Sequence, residues 1–167
     1  MVSATVPTPS TPSLRLATLN ITDARNARLN AAIRCMKEMR VDIGVLTETK
    51  LHHDRYTKSY DDYTVVATVA DRRKGGVAIV YRKSLGWALE SVQYFGQNVI
   101  RATLVSGQRQ YLIVGAYVSP SETNGTTLAA ITEACQLPSG RRWPIILLGD
   151  LNVNFDDLGD NTRMGSD

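Results

Sequence analysis

The chain has 167 residues, 21% of them charged and 43% hydrophobic, with a formal net charge of +3; these are the proportions of one globular domain that buries its own core without disulfide or metal staples. No stretch approaches the ~18 consecutive apolar residues that span a bilayer, which argues against a membrane protein. The small positive excess favours a polyanionic partner without requiring one, and Cys35 and Cys135 have no neighbouring Cys or His at metal-ligand spacing, so no zinc signature or disulfide framework is present.

Residues 1–13 are rich in Pro, Ser and Thr and lack both a basic n-region and an apolar h-region. This is not a signal peptide, and its composition predicts a disordered leader ahead of a domain over residues 14–167. An intracellular location, nuclear or cytoplasmic, is expected, with both cysteines as buried reduced thiols inside helical segments.

Residues 14–20 form a short strand-like run ending in Asn20. Residues 23–40 then carry Leu29, Ala32, Ile33, Met36 and Met39 at helical spacing, with Asp23 or Asn26 placed to cap the first turn. The β-branched run at residues 41–47 reads as a strand leading to Glu48. Strands follow at 63–70, 77–81, 87–94, 99–105 and 111–118, separated by turn signals such as Lys74-Gly75-Gly76 and Ser106-Gly107, so neighbours joined by short loops should pair antiparallel. Residues 126–134 suit a helix capped by Asn124 or Thr126, and a last apolar strand opens at Ile145. Strands sandwiched between flanking helices are the expected layers.

Four of these runs end in a polar group: Asn20, Glu48, Tyr117, and Asp150 with Asn152. Active sites gather at strand ends, where a rigid scaffold meets variable loops. On an extended chain Asp150 and Asn152 would share a face while Leu151 points back. Plainer readings stand beside this one. Gly, Asp and Asn also serve ordinary turns, Asn20 suits backbone capping, Tyr117 suits a core or rim aromatic, and Glu48 with Lys50 suits a surface ion pair. Arg72, Arg73 and Lys74 form a basic hairpin loop that is either a phosphate-backbone contact or a solvated turn. His52 and His53 follow Glu48 in a loop and are expected to be solvated there.

Thr18-Leu19-Asn20, Leu46-Thr47-Glu48-Thr49-Lys50, Gly75-Gly76-Val77-Ala78-Ile79, Tyr117-Val118-Ser119-Pro120 and Gly149-Asp150-Leu151-Asn152 occur in the order and at about the spacing of the endonuclease/exonuclease/phosphatase superfamily. The chain most resembles the apurinic-type endonuclease domains of non-LTR (LINE-like) retrotransposons, over residues 14 to about 152. The resemblance implies an α/β fold of the α+β kind, a four-layer αββα sandwich, that hydrolyses phosphodiesters with Mg²⁺ or Mn²⁺ and acts on DNA. By that likeness Glu48 is the principal metal ligand, Asn20 helps hold the metal or the scissile phosphate, Tyr117 stands against the phosphate, and Asp150 orients or deprotonates the attacking water with Asn152 beside it.

The sequence also departs from the family pattern. Leu19 stands where an aromatic is common, Thr47 where Gln is frequent and Leu151 where Phe is usual. The second Asp and the terminal Ser-Asp-His motif of the family have no counterpart before Asp167, so the expected domain is incomplete at its C-terminus. Unpaired edges would follow, and with them self-association or strand exchange. Two functions remain open on these residues: a metal-dependent nicking endonuclease, and a catalytically dead nucleic-acid-binding or protein-interaction module derived from one.

Overall fold

The computed structural model describes residues 13–24, 27–52, 56–60, 62–71, 73–122 and 125–152; most of the leader, Arg72, His53 and the capping candidates Asn26 and Asn124 lie outside them. Among these residues nine strands and two α-helices run in the order β1 Leu16–Asn20, α1 Ala27–Glu38, β2 Ile43–Thr47, β3 Tyr56–Ser59, β4 Tyr63–Ala67, β5 Val77–Arg82, β6 Ala88–Tyr94, β7 Val99–Ser106, β8 Arg109–Tyr117, α2 Thr126–Ala134 and β9 Ile145–Asp150. They form one sheet in the order β1-β2-β5-β4-β3 and a second in the order β6-β7-β8-β9.

Period-two alternation decides which residues face which layer. From the first sheet Ile43, Val45, Val66, Val77, Ile79 and Tyr81 meet Ile100, Ala102, Leu104, Ile113 and Tyr117 of the second, forming the core between the sheets. The intervening residues Leu46, Val65, Ala67, Ala78 and Val80 turn outward and are covered by Leu29, Ala32, Ile33 and Met36 of α1. On the far side Val99, Val114 and Ala116 pack against Ala134 at the end of α2. The result is the helix, sheet, sheet, helix stack expected of an αββα sandwich. Each fully buried Val, Leu or Ile in it contributes roughly 1.5–3 kcal/mol. Between the sheets Gly115 leaves space for its neighbours, since a Cβ there would lie 3.0 Å from Val77 Cγ1 and 3.2 Å from Ile100 Cγ2.

Several details differ from the sequence expectation, each for a local reason. α1 stops at Glu38, and Arg40 turns left-handed at φ 54°, so Met39 leaves the apolar face and is 62% exposed. β3 was not expected: its Tyr-Thr-Lys-Ser sequence has no apolar alternation, and it forms as an edge by pairing antiparallel with β4. Gly125, itself left-handed, caps α2 without a side chain, and Thr126 is already the first helical residue. Glu122 does the capping, accepting from the Thr127 N–H at 2.5 Å and from the Thr127 hydroxyl. The cysteines are free, but Cys35 is exposed on α1 and Cys135 is only half-buried just past α2, which corrects the expectation of buried thiols. No helix among the described residues is long and apolar enough to cross a membrane.

The C-terminal end of α1 is closed by a side chain from the sheet beneath it. Fully buried Tyr63 donates its hydroxyl proton toward the carbonyls of Met36 at 3.1 Å and Val41 at 2.8 Å, and Arg82 reaches the Val41 carbonyl at 3.0 Å. Tyr63→Phe should keep the packing but leave carbonyls short of a donor, costing about 1–2 kcal/mol. Urea unfolding followed by circular dichroism would read that loss as a lower midpoint at unchanged slope.

Candidate active site

Parallel pairing sets the site. β1 pairs parallel with β2 and β8 parallel with β9, so Asn20 lies opposite Thr47 in one sheet and Tyr117 opposite Asp150 in the other. β1 and β2 both approach β9 across the sandwich, which brings the ends of these strands to one place.

Four of the expected residues meet there. The Asn20 Nδ2 amino group lies 2.8 Å from Glu48 Oε1 and 3.4 Å from Asp150 Oδ2, and the Tyr117 hydroxyl donates to Glu48 Oε1 at 3.0 Å. Lys50 Nζ stands 3.9 Å from Glu48 Oε2, a loose contact at the rim. The Asn20 orientation follows from a donor that can only donate: the Thr22 backbone N–H gives its proton to Asn20 Oδ1 at 3.0 Å, which leaves the amino group for the carboxylates. Asn20 therefore presents protons to this centre, a geometry suited to holding carboxylates or a phosphate oxygen more than to ligating a cation.

The fifth residue behaves differently. β9 ends at Asp150 and Asn152 is left-handed at φ 44°, so the alternation that would put both side chains on one face stops between them. The Asn152 amide donates to the Val118 carbonyl at 2.8 Å, tying the turn after β9 to the turn after β8. Of the basic loop, Arg73 and Lys74 are exposed, and the Arg73 N–H closes a turn on Asp71 Oδ1 at 2.8 Å. His52 is half-buried, and no group of three or more His, Cys, Asp or Glu side chains placed to hold a metal occurs among the described residues.

Glu48 is fixed from below by glycines. It has φ 56° and Lys50 has φ 52°, conformations in which a non-glycine residue is strained. The Thr49 and Lys50 N–H groups donate to the carbonyls of Gly76 and Gly75 at 3.2 and 3.0 Å. That approach leaves no space for side chains: a Cβ on Gly76 would lie 2.4 Å from Thr49 Oγ1, and one on Gly75 2.4 Å from Asn98 Oδ1. Asn98 completes the support, accepting from the Gly76 N–H at 3.2 Å through Oδ1 and from the Tyr117 N–H at 2.9 Å through its backbone carbonyl. Neither Gln97 nor Asn98 stood out in the sequence, where Gly96-Gln97-Asn98 reads as ordinary turn chemistry.

The parallel strand pairs of this αββα sandwich thus deliver two carboxylates, an amide and a phenol to one end. The sequence profile described as "Endonuclease/Exonuclease/phosphatase family" matches residues 18–164, and the chain belongs to that family. No curated protein matches it by sequence. Among solved structures it is similar to a Danio rerio TDP2 complexed with single-strand DNA product (TM-score 0.61, 13% identity, 87% of this chain and 63% of that one). It is similar also to an endonuclease/exonuclease/phosphatase family protein from Leptotrichia buccalis (TM-score 0.56, 14% identity, 88% of this chain and 69% of that one). ANGEL2, a 2′,3′-cyclic phosphatase in complex with adenosine-2′,3′-vanadate, aligns with TM-score 0.56 at 16% identity over 81% of this chain, which spans 53% of that one. At these identities the likeness concerns the fold.

Burial, followed by the hydrogen bond to Glu48 and the charges of Glu48 and Asp150, pushes the Tyr117 phenol up to about 12, while Ser119 pulls it slightly down. The phenol is thus a proton donor throughout neutral pH. A folded-state value above the unfolded value of ~10 means that Tyr117 favours the fold fully below pH ~10, and that this contribution is lost as pH rises from there through about 12. Tyr117→Phe should remove that alkaline loss, so urea midpoints of the variant and the wild type should converge between pH 10 and 12; parallel curves would contradict the geometry.

Proposed function

We propose that the chain hydrolyses phosphodiesters with a divalent cation, Mg²⁺ or Mn²⁺, and nicks DNA in the manner of the endonuclease domains of non-LTR retrotransposons. The observation that carries this is the meeting of Glu48 and Asp150 around a single amide, Asn20, with the Tyr117 phenol beside them. The two carboxylates are hard oxygen donors that fit Mg²⁺ or Mn²⁺, which bind through one or two carboxylates plus waters and substrate oxygens. Glu48 would be the principal ligand, and the cation would neutralise charge on the phosphate and the leaving oxygen. The Asn20 amino group holds the two carboxylates in register with its two protons, and one of these hydrogen bonds would pass to a phosphate oxygen when substrate binds. Tyr117, protonated, steadies Glu48 and faces the phosphate. Asp150 orients the attacking water and takes its proton, and Asn152 positions Asp150 by tying the turn that follows it. The TDP2 relative complexed with a single-strand DNA product supports DNA as the substrate.

Supercoiled plasmid is the direct substrate for a test. With Mg²⁺ the wild type should convert it to the open-circular form, EDTA should stop the reaction, and Asp150→Asn should slow it on the order of 100-fold or more; Glu48→Gln should also raise the Mg²⁺ concentration needed. Equal nicking by wild type and Asp150→Asn would overturn the proposal, and binding of the plasmid without nicking would favour the non-catalytic binding module.

Strand edges that are unpaired among the described residues support self-association as part of this reading. β1 and β9 each lie at one edge of their sheet, as β3 and β6 do at the other, and Leu16, Leu19, Ile145 and Leu147 on β1 and β9 are 44%, 39%, 38% and 39% exposed. Apolar edges of this kind pair with other chains. Light scattering after size exclusion should give a mass at least twice 18.3 kDa at micromolar concentration, and Leu147→Lys should shift it toward the monomer. A strictly monomeric wild type would refute this.

A further inference from the structure

A cavity of about 390 Å³ adjoins the carboxylate centre and shares Tyr117 with it. Its walls are the Lys74-Gly75 turn, the turn between β6 and β7, the segment after β8 and the first turn of α2. Two of its side chains have their orientation settled by backbone donors. The Gly76 N–H donates to Asn98 Oδ1 at 3.2 Å and the Asp71 N–H donates to Gln97 Oε1 at 3.2 Å. Both amide oxygens are therefore occupied, and the amino groups of Gln97 and Asn98 remain as donors with no partner among the described residues. Lys74, exposed at the rim, has no carboxylate within ion-pair distance among those residues. The acidic Glu122 on the opposite wall is spent on α2, where it accepts from the Thr127 N–H and hydroxyl.

The polar lining is thus rich in unused donors, one of them a full positive charge, which suits anionic oxygens. Beside these donors stands Phe95, half-buried against Val99, Val114 and Ala116 and held by the Arg101 guanidinium 5.4 Å from its ring centre. A phosphate-binding wall next to a fixed aromatic ring is the pairing that single-stranded nucleic-acid sites use, the backbone on cations and donors and the base on the ring.

We infer that this cavity is a subsite for the nucleotide next to the scissile phosphate of an unpaired DNA strand, its phosphate on Lys74, Gln97 and Asn98 and its base on Phe95. The inference rests on the nuclease reading above and deepens it. A strand entering here reaches the Glu48–Asp150 centre past Tyr117. An isolated phosphate monoester would leave the cavity empty, so the site selects a polynucleotide over a small phosphate ester.

The variants Asn98→Asp and Gln97→Glu keep the oxygens that accept from Gly76 and Asp71 and replace only the unused amino groups. Lys74→Gln alters an exposed side chain and leaves the core intact. Binding of a fluorescein-labelled ten-nucleotide single strand, measured by anisotropy in EDTA across a salt series, gives affinity without cleavage. The wild type should bind, Asn98→Asp and Gln97→Glu should each weaken binding about tenfold or more, and Lys74→Gln should flatten the slope of log K against log salt by ~0.7, the value of one released counterion on a single strand. Unchanged affinity and slope in Lys74→Gln together with unchanged affinity in Gln97→Glu would overturn the subsite, as would a wild type that does not bind at low salt. Should Asn98→Asp misfold by circular dichroism, the other two variants decide. Loss of plasmid nicking with variant-sensitive binding intact would remove hydrolysis alone; nicking with binding indifferent to all three variants would remove the subsite alone.

Discussion

Two carboxylates brought to the same point repel each other, and the site depends on how that repulsion is met. Glu48 and Asp150 come from different sheets, yet one amide from β1 lies within reach of both, with a phenol from β8 on Glu48 and a lysine at its rim. Each donor belongs to a different element. No single hairpin or helix could supply them, so the arrangement exists only when the two sheets face each other. The apolar residues between the sheets, Ile79, Ile100 and Ile113 among them, are in this sense part of the site.

Holding Glu48 has a local cost as well. A glutamate at φ 56° followed two residues on by Lys50 at φ 52° costs of order 1–3 kcal/mol for each strained residue. The opposing backbone of Gly75 and Gly76 offsets this by supplying carbonyls where side chains would otherwise stand. Thr22 and Asn152 are left-handed as well, so each residue of the carboxylate and amide set lies in or within two positions of a strained turn. Apart from Arg40 beyond α1, the left-handed non-glycine residues among those described gather at this end, which marks where the fold gives up stability for geometry.

The layers and the identity of the converging residues were legible in the sequence because both depend on short-range signals. Apolar alternation located eight of the nine strands, and the polar residue at the end of a run such as 41–47 or 144–150 needs no tertiary information to notice. What escaped depends on long-range contact. β3 exists only because β4 is there to pair with it. Glu122 caps α2 because the chain after β8 folds back over it. Gln97 and Asn98 look like turn residues until the Gly75-Gly76 turn, more than twenty residues earlier, is seen against them. The shared face expected of Asp150 and Asn152 is lost for a different reason, since it extends strand geometry past the residue where the strand stops.

The pairing of β8 with β9 acts as a ruler. Tyr117 stands opposite Asp150, and Ala116 opposite Gly149, where a Cβ on Gly149 would fall 1.8 Å from the Ala116 carbonyl oxygen. That contact admits glycine alone and so marks the one alignment the two strands can take. A slip by one residue would carry the carboxylate ~3.3 Å along the strand and turn it to the opposite face, toward α2. The number of residues between Pro144 and Asp150 is therefore constrained as tightly as the identity of Asp150, and chain length becomes a chemical parameter of the centre.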